Sequence, residues 1–228
     1  MHFDVAKVVR GFDADVVVVC EAWREHSGHG LLDPLVGDGY RIETIELATL
    51  EISGDRPRWA TPGEGHWELA ICSRLPISAR WTLPIGHIGR DPAGPRAALA
   101  CTVDVSGVSL DIIGVHVSSK LWKLAPPRQL RRLRPQLPPR GRAAVVAGDC
   151  NLWGPGVVAL LPHWRRAVRG RTYPAPRPHS QIDHVLVRDG VEIVSGEVLA
   201  ATPSDHRPVR ARLRVSDGQG PGAAGAVG

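Results

Sequence analysis

Ala143-Ala144-Val145-Val146-Ala147-Gly148-Asp149-Cys150-Asn151 is the stretch from which the rest of this chain can be read. Four small or β-branched apolar residues in a row mark a strand covered on both faces, and it stops abruptly at Gly148-Asp149. Asp149 and Asn151 then stand about 6–7 Å apart on one side of the extended chain. A carboxylate there can ligate a hard cation or orient a water, and a carboxamide can hold a phosphate oxygen. An ordinary turn also fits Gly-Asp-x-Asn. Three further places repeat the pattern of an acid where an apolar run ends: Val19-Cys20-Glu21, Ile182-Asp183-His184 and Ser204-Asp205-His206. Folding alone gives no reason for that repetition.

The remaining chain reads as alternating apolar runs and turns. Val5, Val8, Val9 and Phe12 share one face of an amphipathic helix, and 15–20 follows as a buried strand. A short helix over 31–36, a strand over 40–45 and a Gly/Pro-rich surface loop over 53–65 come next. Strands are predicted over 67–73, 77–83, 97–105 and 108–117, the last two joined by the hairpin signal Ser106-Gly107. Leu130, Leu133 and Leu137 after Pro126-Pro127 predict a helix. After the strand 143–148, a helix is expected before residue 170, then strands over 182–187, 191–199 and 207–215. Many strands and few helices point to packed sheets covered by helices, a layered α/β sandwich. No G-x-G-x-x-G follows an early strand, which removes a dinucleotide-binding reading, and there is no internal repeat.

Length and composition bound the answer further. The chain's 228 residues suit one domain, expected over 1–215, with 216–228 as a disordered Gly/Ala-rich tail. Aromatics make up 5 %, so Val, Leu, Ile and Ala must fill the core. The net charge of +5 comes mostly from arginine, because Lys7, Lys120 and Lys123 are the only lysines. That balance favours polyanionic partners, and an arginine-rich genome composition explains it equally well. Cys20, Cys72, Cys101 and Cys150 show no C-x-x-C spacing and read as buried thiols of a reducing compartment. No run reaches the length of a membrane span and no signal peptide is evident, so the expectation is a cytoplasmic monomer.

Taken in order, Cys20-Glu21, Trp67 to Pro76, Gly114-Val115-His116-Val117, Gly148-Asp149-Cys150-Asn151, Ile182-Asp183-His184 and Ser204-Asp205-His206-Arg207-Pro208-Val209 resemble the endonuclease/exonuclease/phosphatase superfamily. The resemblance covers roughly residues 3–215. It implies a four-layer α/β/β/α sandwich of two mixed sheets flanked by helices, a divalent metal (Mg²⁺, with Mn²⁺ as the alternative) and hydrolysis of a phosphate ester. By the same resemblance Glu21 is the main metal ligand, with Asp205 as a second. Asp149 would align or deprotonate the attacking water, and Asn151 would hold a phosphate oxygen. His206 and Asp183 match the family's histidine–carboxylate dyad, although spacing alone does not say which of Asp183 and Asp205 touches His206.

His116 resembles the deoxyribonuclease, sphingomyelinase and deadenylase branches, where a histidine stabilises phosphate or protonates the leaving group; Glu68 is the candidate partner. Arg96 sits where the family often has arginine. Trp153 and Trp122 are candidates to stack on substrate, with packing as the competing explanation. The basic set Arg128, Arg131, Arg132, Arg134, Arg140 and Arg142 reads better as a solvated helix face than as a polyanion site. One departure stands out. The family opens with a strand ending in an asparagine, whereas this chain runs from Met1 into the following helix, and no asparagine precedes Asn151. The expected domain therefore lacks its first strand, through a truncated reading frame or in a weakly active relative. The resulting expectation is Mg²⁺-dependent phosphodiester hydrolysis, first on nucleic acid. The alternatives are a phospholipid or inositol phosphate substrate, and a non-catalytic protein that binds phosphorylated ligands.

Overall fold

The structure, a computed structural model, describes residues 4–49, 65–88, 95–119 and 124–216. Helix α1 (Val5–Phe12) opens it, and the Asp4 carboxylate caps the helix by accepting the Lys7 N–H at 2.8 Å. Strand β1 (Val16–Glu25) follows, then a 3₁₀ turn (Asp33–Asp38) and strands β2 (Arg41–Thr49), β3 (Gly65–Ser73), β4 (Ile77–Gly86), β5 (Arg96–Val105) and β6 (Val108–His116). Ser106 and Gly107 both take positive φ in the β5–β6 hairpin, as a tight turn of matching twist requires. Helix α2 (Ala125–Leu133) begins at the proline pair. Strand β7 (Ala144–Asp149), helix α3 (Gly154–Leu160) and strands β8 (Arg165–Arg166), β9 (Asp183–Arg188), β10 (Val191–Val198) and β11 (Val209–Val215) complete it. The expected tail lies outside the described residues from 217 onward, as does Trp122.

Six strands form one mixed sheet in the order β4-β5-β6-β7-β9-β8, in which only β6 and β7 run parallel. Period-2 alternation gives this sheet two apolar faces. Ala98, Ala100, Ile113, Val115 and Val146 pack against Leu130 and Leu133 of α2 and Val157 of α3. Leu99, Cys101, Val103, Ile112 and Val145 point the other way, toward Leu69 and Ile71 of β3. On the far side of β3, Ala70 and Cys72 meet Ala6 and Val9 of α1. The layers are therefore helix, sheet, sheet, helix.

The opposing layer differs from the expected second mixed sheet. It consists of an antiparallel three-stranded sheet, β1-β3-β2, and a separate β10-β11 hairpin. Strand β1 lies over β6 and β7 while β11 lies over β9, and among the described residues no strand joins the two pieces. Val16 and Val18 on one side, and Ala211 and Leu213 on the other, are accordingly only partly buried although they face the inter-sheet core.

The four cysteines are free thiols, three of them buried, with Cys20 partly so. Burial pushes the Cys72 and Cys101 thiols up to about 12, which makes them inert. The expected basic helix face is mostly solvated. Arg131 and Arg134 are exposed, while Arg142 pairs with the buried Asp111 and Arg132 donates to the Ile85 carbonyl.

Gly148 carries the tightest backbone demand. Its φ is 129°, and a Cβ there would collide with the Val115 carbonyl oxygen across the parallel β6–β7 seam. Gly148→Ala should therefore destabilise the fold by about 2 kcal/mol or more in urea melts. Gly11→Ala, where the added Cβ meets nothing within 4 Å, should stay within about 1 kcal/mol of the parent. Equal losses would mean that the seam tolerates a side chain.

Candidate active site

Register across three neighbouring strands builds the site's floor. His116 pairs with Asp149 between β6 and β7, and Asp149 pairs with Asp183 between β7 and β9. The three side chains thus stand in a row at one end of the six-stranded sheet, at cross-strand spacings of roughly 5 Å. His116 and Asp149 are each 6 % exposed. The His116 Nε2 lies 3.8 Å from Asp149 Oδ2 and 3.7 Å from Glu21 Oε1.

Glu21 reaches this row from the opposite sheet by way of a bulge. The β1–β3 register is regular through Val19↔Ala70 and resumes at Ala22↔Glu68, so Cys20 and Glu21 together oppose a single residue. Glu21 takes φ 59°, a left-handed conformation that costs a non-glycine residue energy and recurs at functional sites. The bulge also reverses the alternation: Val16, Val18 and Cys20 face the inter-sheet core, but Ala22 packs with α1.

His206 comes from the loop before β11. Its Nδ1 lies 3.0 and 2.9 Å from the two Asp183 carboxylate oxygens, which answers the question left by the spacing: Asp183, not Asp205, holds the imidazole. That contact fixes the ring and leaves Nε2 directed elsewhere. Burial opposes charge on His206, but the Asp183 hydrogen bond and charge outweigh it, raising the imidazole to about 9. Asp205 is exposed, and its backbone carbonyl accepts the Ala175 N–H at 2.6 Å. Its carboxylate is close enough to raise Glu21, which loss of hydration also raises, against the pull of His206 and Arg96. Burial first, then the Asp183 charge, pushes the Asp149 carboxyl well above the usual carboxylate range.

Asn151, at φ 45°, folds back on Asp149. Its N–H donates to Asp149 Oδ1 at 2.7 Å, and Nδ2 donates to Asp149 Oδ2 and the Val117 carbonyl, both at 2.9 Å. Both Nδ2 hydrogens are committed in this arrangement, so a contact from Nδ2 to phosphate requires one of them to be released. Arg96, the first residue of β5, donates to the His116 carbonyl at 3.3 Å. Trp153, two residues past Asn151, stands 70 % exposed at the rim.

Glu68 does not meet His116 as expected. The bulge moves it out of line, and it accepts instead from Arg24 at 2.9 Å and Thr44 at 3.1 Å, with His66 at 3.4 Å. His184, the neighbour of Asp183, is buried, is pushed down by that burial, and bonds the Leu152 carbonyl at 2.9 Å, pinning the loop that carries Asn151. Two contributors escaped sequence reasoning. The Tyr173 ring lies 4.8 Å from the His206 ring, and Thr172 Oγ1 accepts the N–H groups of Ile182 and Asp183. Both sit in the irregular stretch before β9, where no periodicity marks them.

Asp149, Asp183 and His206 each offer a ligand atom, and those atoms lie within 4.8 Å of one another. With Glu21 and Asp205 beside them, four carboxylates face two nearby cationic groups, His206 and Arg96. Loss of hydration first, and the neighbouring carboxylates second, raise Asp149 and Glu21. The carboxylates of this cluster are hard oxygen donors, which fit a divalent cation.

Comparison with known proteins bears on the same residues. No curated protein sequence matches the chain. Among solved structures, an endonuclease/exonuclease/phosphatase family protein from Leptotrichia buccalis C-1013-b superposes with TM-score 0.71 at 11 % identity, over 92 % of this chain and 91 % of that one. An endonuclease/exonuclease/phosphatase from Beutenbergia cavernae DSM 12333 gives 0.69 at 25 % identity, over 92 % of this chain and 65 % of the longer partner. A mannosyl-6-phosphatase from Bacteroides thetaiotaomicron VPI-5482 gives 0.69 at 17 % identity, over 92 % and 89 %. The sequence model of the Endonuclease/Exonuclease/phosphatase family matches residues 2–206, a span that takes in every strand end described above. By that match the chain belongs to the Endonuclease/Exonuclease/phosphatase family, whose members hydrolyse phosphoester bonds.

Proposed function

We propose that this protein is a divalent-metal-dependent phosphodiesterase, with nucleic acid as its first substrate class. The observation that carries the reading is the convergence of Asp149, Asp183 and His206 within 4.8 Å at the open end of the six-stranded sheet, with Glu21 bulged toward them. Glu21 and Asp205 would hold the cation; when bound, it neutralises charge on the phosphate and lowers the cost of a nucleophilic water. Asp149, in its ionised form, would orient the water and take its proton. His206, held at Nδ1 by Asp183, is an imidazolium at neutral pH and donates from Nε2 to a phosphoryl oxygen. His116 lies beside Asp149 and Glu21, where it can stabilise charge on the phosphate or protonate the departing alkoxide. Arg96 and Asn151 line the same mouth, and Trp153 offers an open aromatic face to a base.

With Mg²⁺ or Mn²⁺, purified protein should release nitrophenolate from bis-p-nitrophenyl phosphate, and EDTA should abolish the release. Asp149→Asn or His206→Ala should lower kcat by about 10²–10⁴-fold. Turnover retained in either variant would overturn the role assigned to that residue. Lack of turnover across nucleic acid, phospholipid and inositol phosphate substrates, with phosphate still bound, would favour a binding-only protein. Trp153→Ala should lower the ratio of oligonucleotide to bis-p-nitrophenyl phosphate kcat/KM by about 10-fold, the worth of one stacked base; an unchanged ratio removes the tryptophan from substrate contact.

Stability should carry the same signature. Folding raises the proton affinity of both Asp149 and His206, so the metal-free fold binds protons that the unfolded chain releases. The stabilisation from His206 is complete below 6.5 and is lost as pH rises through about 9. Metal-free protein should therefore melt lower at pH 9 than at pH 6.5. Added Mg²⁺ should raise the melting temperature more at pH 8 than at pH 5.5, and Asp149→Asn should raise it by about 2–4 °C without metal. A metal-free melting temperature that climbs over this pH range would contradict the charge balance described.

A further inference from the structure

A cleft lies at the β8 edge of the six-stranded sheet, two strands across from Asp149. It encloses about 380 Å³ and is lined by Val158, Trp164, Arg165, Arg166, Arg169 and Ile193. None of these residues belongs to the site already described. The size falls within the ordinary range for small-molecule pockets, roughly 300–1,000 Å³. Its lining is largely apolar, and three of the six lining residues are arginines.

Among the described residues these three arginines lack counter-ions. Arg165 donates only to the Val191 carbonyl at 2.7 Å and Arg166 only to Gln181 Oε1 at 3.2 Å, and Arg169 has no hydrogen-bond or ion-pair partner among them. The acids of the adjoining β10 are already engaged, Glu192 by Arg214 at 2.6 Å and Glu197 by Arg210 at 2.9 Å. Burial, and then the Arg169 charge, pulls the Arg166 guanidinium below its ordinary value. Arg165 and Arg169 are exposed, so an anion can reach both.

The cleft is also connected to the reaction end of the sheet. Arg166 pairs with Leu186 of β9, about 10 Å along the strand from Asp183. Its guanidinium reaches back to Gln181, two residues before Asp183. Its Nη1 also occupies the space that a Cβ on Gly154 would need, so it packs under the start of α3 just past Asn151.

We propose that this cleft is a phosphate-anchoring subsite for a nucleic-acid strand, holding a phosphate a few nucleotides away from the ester that is cut; as a subsite it rests on the phosphodiesterase reading above. The arginine forks match phosphate oxygens, and Val158 and Ile193 give the sugar or base an apolar wall. A lipid surface fits less well, because a recessed cleft with an arginine rim presents no flat apolar patch.

The test uses Arg169→Ala, which removes no internal bond, and Arg165→Ala/Arg169→Ala. Binding of a fluorescent single-stranded oligonucleotide is followed by anisotropy in EDTA, so that nothing is cut, across a salt series. The double variant should bind about 10–100-fold more weakly near 50 mM salt, and the slope of log K against log salt should become shallower by about 1 for each phosphate no longer held. The ratio of oligonucleotide to bis-p-nitrophenyl phosphate kcat/KM should fall with it. Unchanged affinity and slope would overturn the subsite, as would arginine-dependent binding to phosphatidylserine vesicles but not to the oligonucleotide. If bis-p-nitrophenyl phosphate is not hydrolysed while oligonucleotide binding still depends on the arginines, the anchoring site stands and the phosphodiesterase reading falls.

Discussion

The cluster of acids and histidines at one end of the six-stranded sheet depends on the register of three adjacent strands. Parallel pairing of β6 with β7 sets His116 opposite Asp149, and antiparallel pairing of β7 with β9 sets Asp149 opposite Asp183. A slip of one residue in either pair would turn one of these side chains to the other face of the sheet. Gly148 protects that register, since the Val115 carbonyl approaches too closely for any side chain. Apolar packing on both faces of β7 does the rest, with Val146 toward the helices and Val145 toward the opposite sheet.

Upon this rigid row the protein loads charge that the fold alone would avoid. Two half-hydrated or buried carboxyls, Glu21 and Asp149, are raised by their surroundings, and Glu21 also adopts a strained φ. Such costs persist where function requires them and the surrounding structure holds them in place. A cation at the mouth would relieve the repulsion. The Asp183–His206 contact already offsets part of that charge, and it ties the loop before β11 to β9. The arginine cleft at the β8 edge shows the opposite imbalance, so the two ends of β9 carry complementary needs for cation and anion.

Much of the fold was legible because its signals are local. The continuous apolar runs at 15–20 and 143–148, the Ser106-Gly107 turn and the Pro126-Pro127 helix start all became elements within a few residues of their expected ends. Strand β1 ran longer than its apolar core because pairing with β3 extends it through Trp23 and Arg24. The two-residue β8 went unread, since a pair of arginines has no periodicity. The partition of the second layer into a sheet and a hairpin was equally hidden, as it depends on which strands find neighbours. In the site, Glu68 was offered to His116 by the resemblance, and it pairs with Arg24 and Thr44 instead.

By itself, then, the amino-acid order determined the strands, the layered class and the acids and histidines at strand ends, because alternation and abrupt termini are properties of neighbouring residues. Tertiary structure alone decided that Asp183 rather than Asp205 holds His206, that Glu21 leaves the alternation of β1, that Asn151 spends its amide on Asp149, and that Arg165, Arg166 and Arg169 share a cleft without acids. Those outcomes turn on pairing register, on bulges and on contacts between residues far apart in the chain. Such contacts are settled by the packing of whole sheets, which no local pattern records.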